Sequence, residues 1–399
     1  MIAILAPGQG AQTPGMLSPW LELPGVPEQI AAFSAAAGMD LRRLGTTAPA
    51  DEIKDTAVTQ PLIVALSLIA ADALGGLATD AALLSAGHSV GELAAAAIAG
   101  VFSPTDAVAL AARRGAAMAQ ACALSPSGMA AVLGGDADTV VAAIEKAGAY
   151  AANRNGAGQI VAAGSLDALE RLAADAPKGV RVRPLPVAGA FHTPFMASAQ
   201  PELGDYAASI TAADPQHLLL TNFDGTALTT GPAVLQSLVA QLTRSVRWDL
   251  CQETIEQLHV GAAIELAPAG TLTGLAKRKL PDLTTIAVKT PDDLDVARAL
   301  LADIGSGPQP EHTPEFRVAV TPAKGVFTRI DDLDEGHQVA AGERIGTITT
   351  NRDQHPVVAP AAGELAEWLK NDGDIVAAGL PVARLHDVSL HDETERGLT

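Results

Sequence analysis

The chain has 399 residues, 48% of them hydrophobic, which exceeds the usual span of one domain and predicts two or three compact units with cores of their own. Its formal net charge of -19 repels phosphate backbones and sets nucleic acid aside as a partner. Two cysteines, Cys122 and Cys251, lie far apart without metal-ligand spacing, so neither a disulfide framework nor a metal centre is expected.

The opening run "MIAILA" has no basic flank and is too short for a signal peptide; it reads as a buried strand ending in the glycine-rich loop "PGQGAQ". The apolar stretch "PLIVALSLIAADALGG" is broken by Asp72 and by glycines before it could cross a bilayer. No membrane is implied, and a cytoplasmic location is expected. Next comes "LLSAGHSVGELAAAAIAG", which reads as a short strand, a sharp turn at Ser89 between Gly87 and Gly91, and a helix over Glu92 to Ala99. This G-x-S-x-G spacing suits an exposed nucleophile facing a helix N-terminus, whose free N–H groups favour a developing oxyanion. A plain serine N-cap would use the same residues.

From Gly128 the pattern becomes strand, helix, hairpin, helix, strand, in the order "GMAAVLGG", "DADTVVAAIEKAG", "AYAANRNGAGQIVAAG", "SLDALERLAADAP" and "GVRVRPLPV". That β-α-β-β-α-β order predicts a ferredoxin-like subdomain, 125–188, inserted into a larger α/β core, 1–124 and 189–303. The core resumes near Gly189 with "HLLLTNFDG", helices around Pro232 to Leu242 and Asp249 to His259, the strand "AAIELA", and a helix ending in Lys-Arg-Lys. Residues 304–316 lack apolar periodicity and read as a linker. Beyond it, "PAKGVFTRIDDLDEGHQVAAG" and "PAAGELAEWLKNDGDIVAAG" share P-A-x-G and G-x-x-V-A-A-G, a pseudo-repeat that predicts a small all-β sandwich over 317–387 with a tail at 388–399.

A nucleophilic serine needs a base, and His192 in "VAGAFHTPFM", where the chain re-enters the core, is the best placed of nine histidines. Together, "APGQGAQ", "TQP" at Thr59, "GHSVGE", "RRG" at Arg113, "GAFHTPFM", "VRWD" and "GTLTGLAKR" resemble, in order and over about residues 1–300, the malonyl-CoA:acyl carrier protein transacylases. The resemblance implies an α/β-hydrolase-like core with a ferredoxin-like insert, and a ping-pong transfer of malonyl from malonyl-CoA to the phosphopantetheine thiol of acyl carrier protein. By it, Ser89 is the nucleophile and His192 the base. A backbone carbonyl near Gln241 orients the imidazole, and the Gln9 and Val90 N–H groups form the oxyanion hole. Arg114 holds the free malonyl carboxylate, while Phe191 and Val90 belong to the malonyl-selecting pattern. Arg113, Arg181, Arg183, Arg244, Arg247, Lys277, Arg278 and Lys279 are candidates for a basic patch facing an acidic carrier. No cofactor is implied. "APAG" at Ala267 and Ser245 depart from the family's usual Gly-Pro-Gly and Pro. A serine hydrolase on the same elbow would leave Arg114 and "APGQGAQ" unexplained, and a non-catalytic scaffold would not need Ser89, His192 and Arg114 together.

The C-terminal segment resembles the biotinyl/lipoyl carrier domains through its two halves and "APAAG" at Ala359. Counting back from that motif puts Arg352 where those carriers hold their modified lysine, and a guanidinium cannot form the amide. Lys324 and Lys370 lie elsewhere in the halves. No biotin or lipoate is therefore expected, and the segment reads as an accessory module docking a carboxylase or another synthase component.

Overall fold

The computed structural model describes residues 1–75, 77, 83–306, 316–330, 333–350, 353–360, 362–377 and 379–387, which fall into two compact units, Met1–Gly305 and Ser306–Thr399. Arg352, most of the expected linker (307–315) and the tail 388–399 lie outside the described residues. Linker residues 304–306 are helical: the helix Leu294–Ser306 continues through Gly305, because one glycine weakens a helix without ending it.

The first unit has eleven described strands: β1 (Ile2–Ala6), β2 (Leu83–Gly87), β3 (Ser127–Leu133), β4 (Tyr150–Gly156), β5 (Gln159–Ser165), β6 (Arg181–Pro184), β7 (Leu218–Leu220), β8 (Ala227–Leu228), β9 (Val246–Arg247), β10 (Ala262–Glu265) and β11 (Thr284–Ala287). Six form a sheet in the order β11-β10-β1-β2-β7-β8, parallel except for β8 at its edge. β1 and β2 are buried on both faces, which explains why "IAILA" and "LLSAG" are near-continuous apolar runs without alternation. The helix Thr56–Ala73 is long and apolar enough to cross a membrane, yet fourteen of its eighteen residues are buried within this unit, so it is a core helix.

The second sheet of this unit has the order β6-β3-β5-β4-β9. Four of its strands come from the segment 127–184 and pair antiparallel; the fifth, β9, belongs to the chain after the core has resumed and runs parallel to β4. Two residues are too few to show a strand period, so sequence patterning missed β9. The helices Ala137–Lys146 and Leu166–Ala174 start at Asp136 and Ser165, whose side chains accept from Thr139 N and Ala168 N. Their apolar faces and the sheet bury Val140, Ile144, Ile160 and Leu172.

The C-terminal unit holds β12 (Phe316–Val320), β13 (Gly325–Arg329), β14 (Gln338–Val339), β15 (Arg344–Thr349), β16 (Gln354–Val358), β17 (Gly363–Trp368), β18 (Ile375–Val376) and β19 (Pro381–Asp387). Two sheets result, β12-β19-β17-β14 and β16-β15-β13-β18. Matching β12–β15 to β16–β19 in order converts the first sheet into the second, so each half of the pseudo-repeat lends strands to both sheets. Phe327, Ile345, Ile348, Leu365, Val382 and Leu385, drawn from both, form one core. Lys324 precedes β13 and Lys370 follows β17.

Candidate active site

The end of β2 and the helix Gly91–Ile98 meet at the turn that carries Ser89. The two glycines serve close packing here. A Cβ on Gly87 would lie 2.1 Å from the Gly91 carbonyl carbon, and one on Gly91 would lie 2.2 Å from Ala6 O. Ser89 itself takes a left-handed backbone, φ 54°. Its N–H donates to Asn222 Oδ1 at 2.8 Å, and Asn222 Nδ2 donates to Gly87 O at 2.7 Å, so one amide clamps both sides of the turn.

His192 follows β6 in the chain, also with a left-handed backbone at φ 60°. Its Nδ1 lies 2.9 Å from the Gln241 carbonyl oxygen and its Nε2 lies 2.7 Å from Ser89 Oγ. A carbonyl only accepts, so Nδ1 carries the proton and Nε2 offers its lone pair to the serine hydroxyl. Burial, reinforced by the nearby Arg114 charge, pushes His192 down to about 3, so the ring is neutral at physiological pH.

Arg114 projects from the helix Pro104–Leu124 and is 2% exposed. Its Nη1 donates to Gln60 Oε1 at 2.7 Å, and its Nη2 donates to Gln241 Oε1 at 2.7 Å and lies 3.4 Å from Ser89 Oγ. A buried cation thus sits directly beside the serine hydroxyl. Burial lowers Arg114 to about 10, with the Glu92 charge opposing the shift. Glu92 is buried too and is pushed up to about 7 by desolvation, against hydrogen bonds from Asn222, Thr221 and Gln241 and the pull of Arg114.

A cavity of about 670 Å³ opens over Ser89 and His192, lined also by Gln9, Val90, Phe191 and Met118. Neither Gln9 nor Val90 donates its backbone N–H to an acceptor among the described residues. Phe191 is 6% exposed and forms part of the wall. Gln60 also lines the cavity, and Arg114 adjoins it through its contact with Ser89 Oγ. The eight basic residues have different surroundings. Arg181 and Arg278 line the cavity, and Arg247 pairs with Asp249 at 2.9 Å. Arg113 stacks 4.2 Å from the Tyr206 ring centroid and Arg244 4.7 Å from that of Phe223. Among the described residues no group of three His, Cys, Asp or Glu side chains is placed to hold a metal.

Sequence reasoning did not single out Gln60, Glu92, Asn222, His88 or Asn155. His88 Nε2 lies 2.9 Å from Asn155 Oδ1, which ties the serine turn to β4 of the second sheet. Gln60 and Glu92 do stand inside quoted motifs, "TQP" and "GHSVGE", and that position was their one available signal.

The acyl transferase domain family matches residues 5–289. A malonyl CoA-acyl carrier protein transacylase of Mycobacterium tuberculosis is 58% identical over 297 residues, which is 74% of this chain and 98% of the relative. The Escherichia coli K12 protein of the same name is 35% identical over 305 residues, 75% of this chain and 99% of its own. Among solved structures, the Mycobacterium tuberculosis enzyme superposes with a TM-score of 0.72 at 57% identity, covering 74% of this chain and 99% of its own. A malonyl-transacylase in complex with its type II PKS acyl-carrier protein gives a TM-score of 0.70 at 32% identity, covering 75% and 99%.

Proposed function

The chain belongs to the acyl transferase domain family, among the malonyl-CoA:acyl carrier protein transacylases, and we propose that Ser89 is the residue it malonylates. It transfers malonyl to acyl carrier protein in fatty acid or polyketide synthesis. In the proposed ping-pong sequence, His192 Nε2 takes the Ser89 proton as Oγ attacks the thioester carbonyl. The oxyanion is met by the uncommitted N–H groups of Gln9 and Val90. Coenzyme A leaves with the proton from His192; the carrier's phosphopantetheine thiol then gives its proton to the same nitrogen as it attacks the malonyl-serine, and as the ester bond breaks Ser89 Oγ takes that proton back and malonyl-carrier departs.

The observation that carries this reading is the buried Arg114 guanidinium 3.4 Å from Ser89 Oγ. A planar cation there can hold the free malonyl carboxylate through two parallel hydrogen bonds while the thioester end reaches the serine. Phe191 crowds the space beside an α-branch, and Arg181 and Arg278 favour the phosphates and acidic surface of the two substrates. The Gln241 carbonyl takes the place an acidic triad member has in related elbows. No cofactor enters these steps.

By domain, residues 1–303 form the transferase, with a hydrolase-like core and the ferredoxin-like insert 125–188; the sheet orders support this division. Residues 317–387 form a biotinyl/lipoyl-like sandwich without a modifiable lysine, an accessory module whose protein partner would be a carboxylase or synthase component. A cytoplasmic location suits the substrates. The deciding experiment is incubation with radiolabelled malonyl-CoA, mapping of the labelled residue, and a chase with holo-acyl carrier protein. Label on Ser89 that moves to the carrier is expected; label on another residue would remove Ser89 from the mechanism, and loss to water alone would point to a hydrolase.

A further inference from the structure

Glu92 occupies the first turn of the helix that follows Ser89 and is 2% exposed. The groups that face it are Arg114 from the helix Pro104–Leu124, Gln241 after the helix Gly231–Ala240, Thr221 and Asn222 after β7, and the Cys251 thiol from the helix Trp248–Gln257. Desolvation holds that thiol neutral. Arg114 is therefore the cation available to balance Glu92, and the side chain of Gln241 lies between them. Gln241 Nε2 donates to the Glu92 carboxylate and to Ser89 O, and Gln241 Oε1 accepts from Arg114. The reverse orientation would set oxygen against carboxylate and N–H against guanidinium, so the two charges together fix the amide. The same residue's backbone carbonyl holds His192.

We propose that Glu92 is a positioning residue of this site and the resting counter-charge of Arg114: it orients Gln241, and it takes a proton from solvent when the carboxylate of a malonyl group becomes the anion of Arg114. The proposal rests on Arg114 as the malonyl-binding residue. Free, the buried site holds one cation and one anion. Bound malonyl adds a second anion in direct hydrogen bonding with the guanidinium, and two carboxylates cannot share one buried cation without one of them protonating. Glu92 is the one separated from Arg114 by an intervening amide, so the proton goes there, and the site returns to neutrality. Acetyl brings no anion and leaves Glu92 as it was. The desolvation that already raises Glu92 toward neutrality makes this uptake accessible in ordinary buffers.

The test is calorimetric binding to the full chain carrying Ser89→Ala, in buffers of different protonation enthalpy at pH 8. Malonyl-CoA is expected to bind with uptake approaching about one proton per site, and acetyl-CoA, which shares its other ionisable groups, with none in excess. Adding Glu92→Gln keeps an oxygen to accept from Gln241 but nothing to titrate, so the malonyl-specific uptake should vanish. A purely structural glutamate would not alter proton counts. Equal uptake for the two thioesters, or unchanged uptake with Glu92→Gln, overturns the proposal. If Glu92→Gln does not fold, the malonyl and acetyl comparison decides alone. Ser89→Ala/Arg114→Ala separates the levels: malonyl-CoA affinity unchanged in it removes the Arg114 reading and this one together, whereas affinity lost in it, with no malonyl-specific uptake in the parent, removes the Glu92 role only.

Discussion

Ser89 and His192 face each other across a 2.7 Å hydrogen bond, and both hold left-handed backbones, at φ 54° and 60°. Each such non-glycine residue costs on the order of 1–3 kcal/mol, retained only where surrounding structure fixes it. Here the Asn222 clamp and the Gln241 carbonyl do so. Ser89→Ala is expected to abolish the covalent malonyl-enzyme, read by intact mass after mixing with malonyl-CoA. His192→Ala should slow its formation by roughly 10²–10⁴. A stable malonyl adduct on Ser89→Ala would remove the serine from the mechanism.

Arg114→Ala leaves Gln60 Oε1, Gln241 Oε1 and any malonyl carboxylate without their buried donor. Truncating one partner of such a pair costs about 3–5 kcal/mol. kcat/KM for malonyl-CoA should fall a hundredfold or so, or more, while that for acetyl-CoA falls far less. Steady-state rates with the two thioesters check this, and an unchanged ratio would move carboxylate recognition elsewhere.

Because burial and Arg114 hold His192 down to about 3, its base form persists in mild acid. At saturating malonyl-CoA the rate of Ser89 acylation is expected to stay level from pH 7 to pH 5, where a histidine of ordinary pKa would lose roughly 25-fold of its neutral form. Rapid-quench measurement across that range distinguishes the two. The same depression works against the fold in acid. The unfolded chain binds this proton first, so the stability is whole above about 6.5 and is lost as pH falls toward about 3.

Glu92 has the opposite sign. Its folded pKa is raised to about 7, so its contribution is whole below the unfolded value of 4.5 and is lost as pH rises through about 7. Glu92→Gln does not titrate. Its stability relative to the parent should therefore improve between pH 4.5 and pH 7, by up to ~3 kcal/mol. Urea midpoints of both proteins at the two pH values measure this, and a difference independent of pH would contradict the shift.

A chain ending at Gly305, the limit of the first compact unit, is expected to fold and to transfer malonyl at nearly the full-length rate. Intact mass of the full-length protein from its native source should show neither biotin nor lipoate. Failure of the shortened chain to acylate would mean that the C-terminal unit completes the transferase, and a mass addition on the full-length protein would refute the assignment of Arg352 to the carrier position.

The order of strands and helices over 127–184 and the serine turn were readable because their signals are local: Gly87 and Gly91 stand two residues either side of Ser89, and Asp136 and Ser165 mark helix starts. Resemblance of motifs pointed to His192, Gln241 and Arg114, whereas periodicity could not. Arg114 reaches Gln60 across 54 positions and Gln241 across 127, contacts that no window of sequence contains. Gln60, Asn222 and Asn155 went unnoticed because a neutral amide has no pattern of its own. Its value lies in donating on one side while accepting on the other, and only the fold supplies both sides. The eight basic residues show the converse, since charge is visible in sequence but its neutralisation by Asp249 or its stacking on Tyr206 is not.

The pairing of β9 with β4 couples two parts of the transferase that the chain enters and leaves separately. Here Asn153 and Arg154 are laddered to Val246 and Arg247, and Gln252 Nε2 donates to Asn155 O at 2.9 Å. Separating the two segments would break both the ladder and the side-chain bond. β4, whose Asn155 holds His88 beside the serine turn, is thereby fixed to the chain that carries β9 and Gln252, so a change in either segment reaches the other.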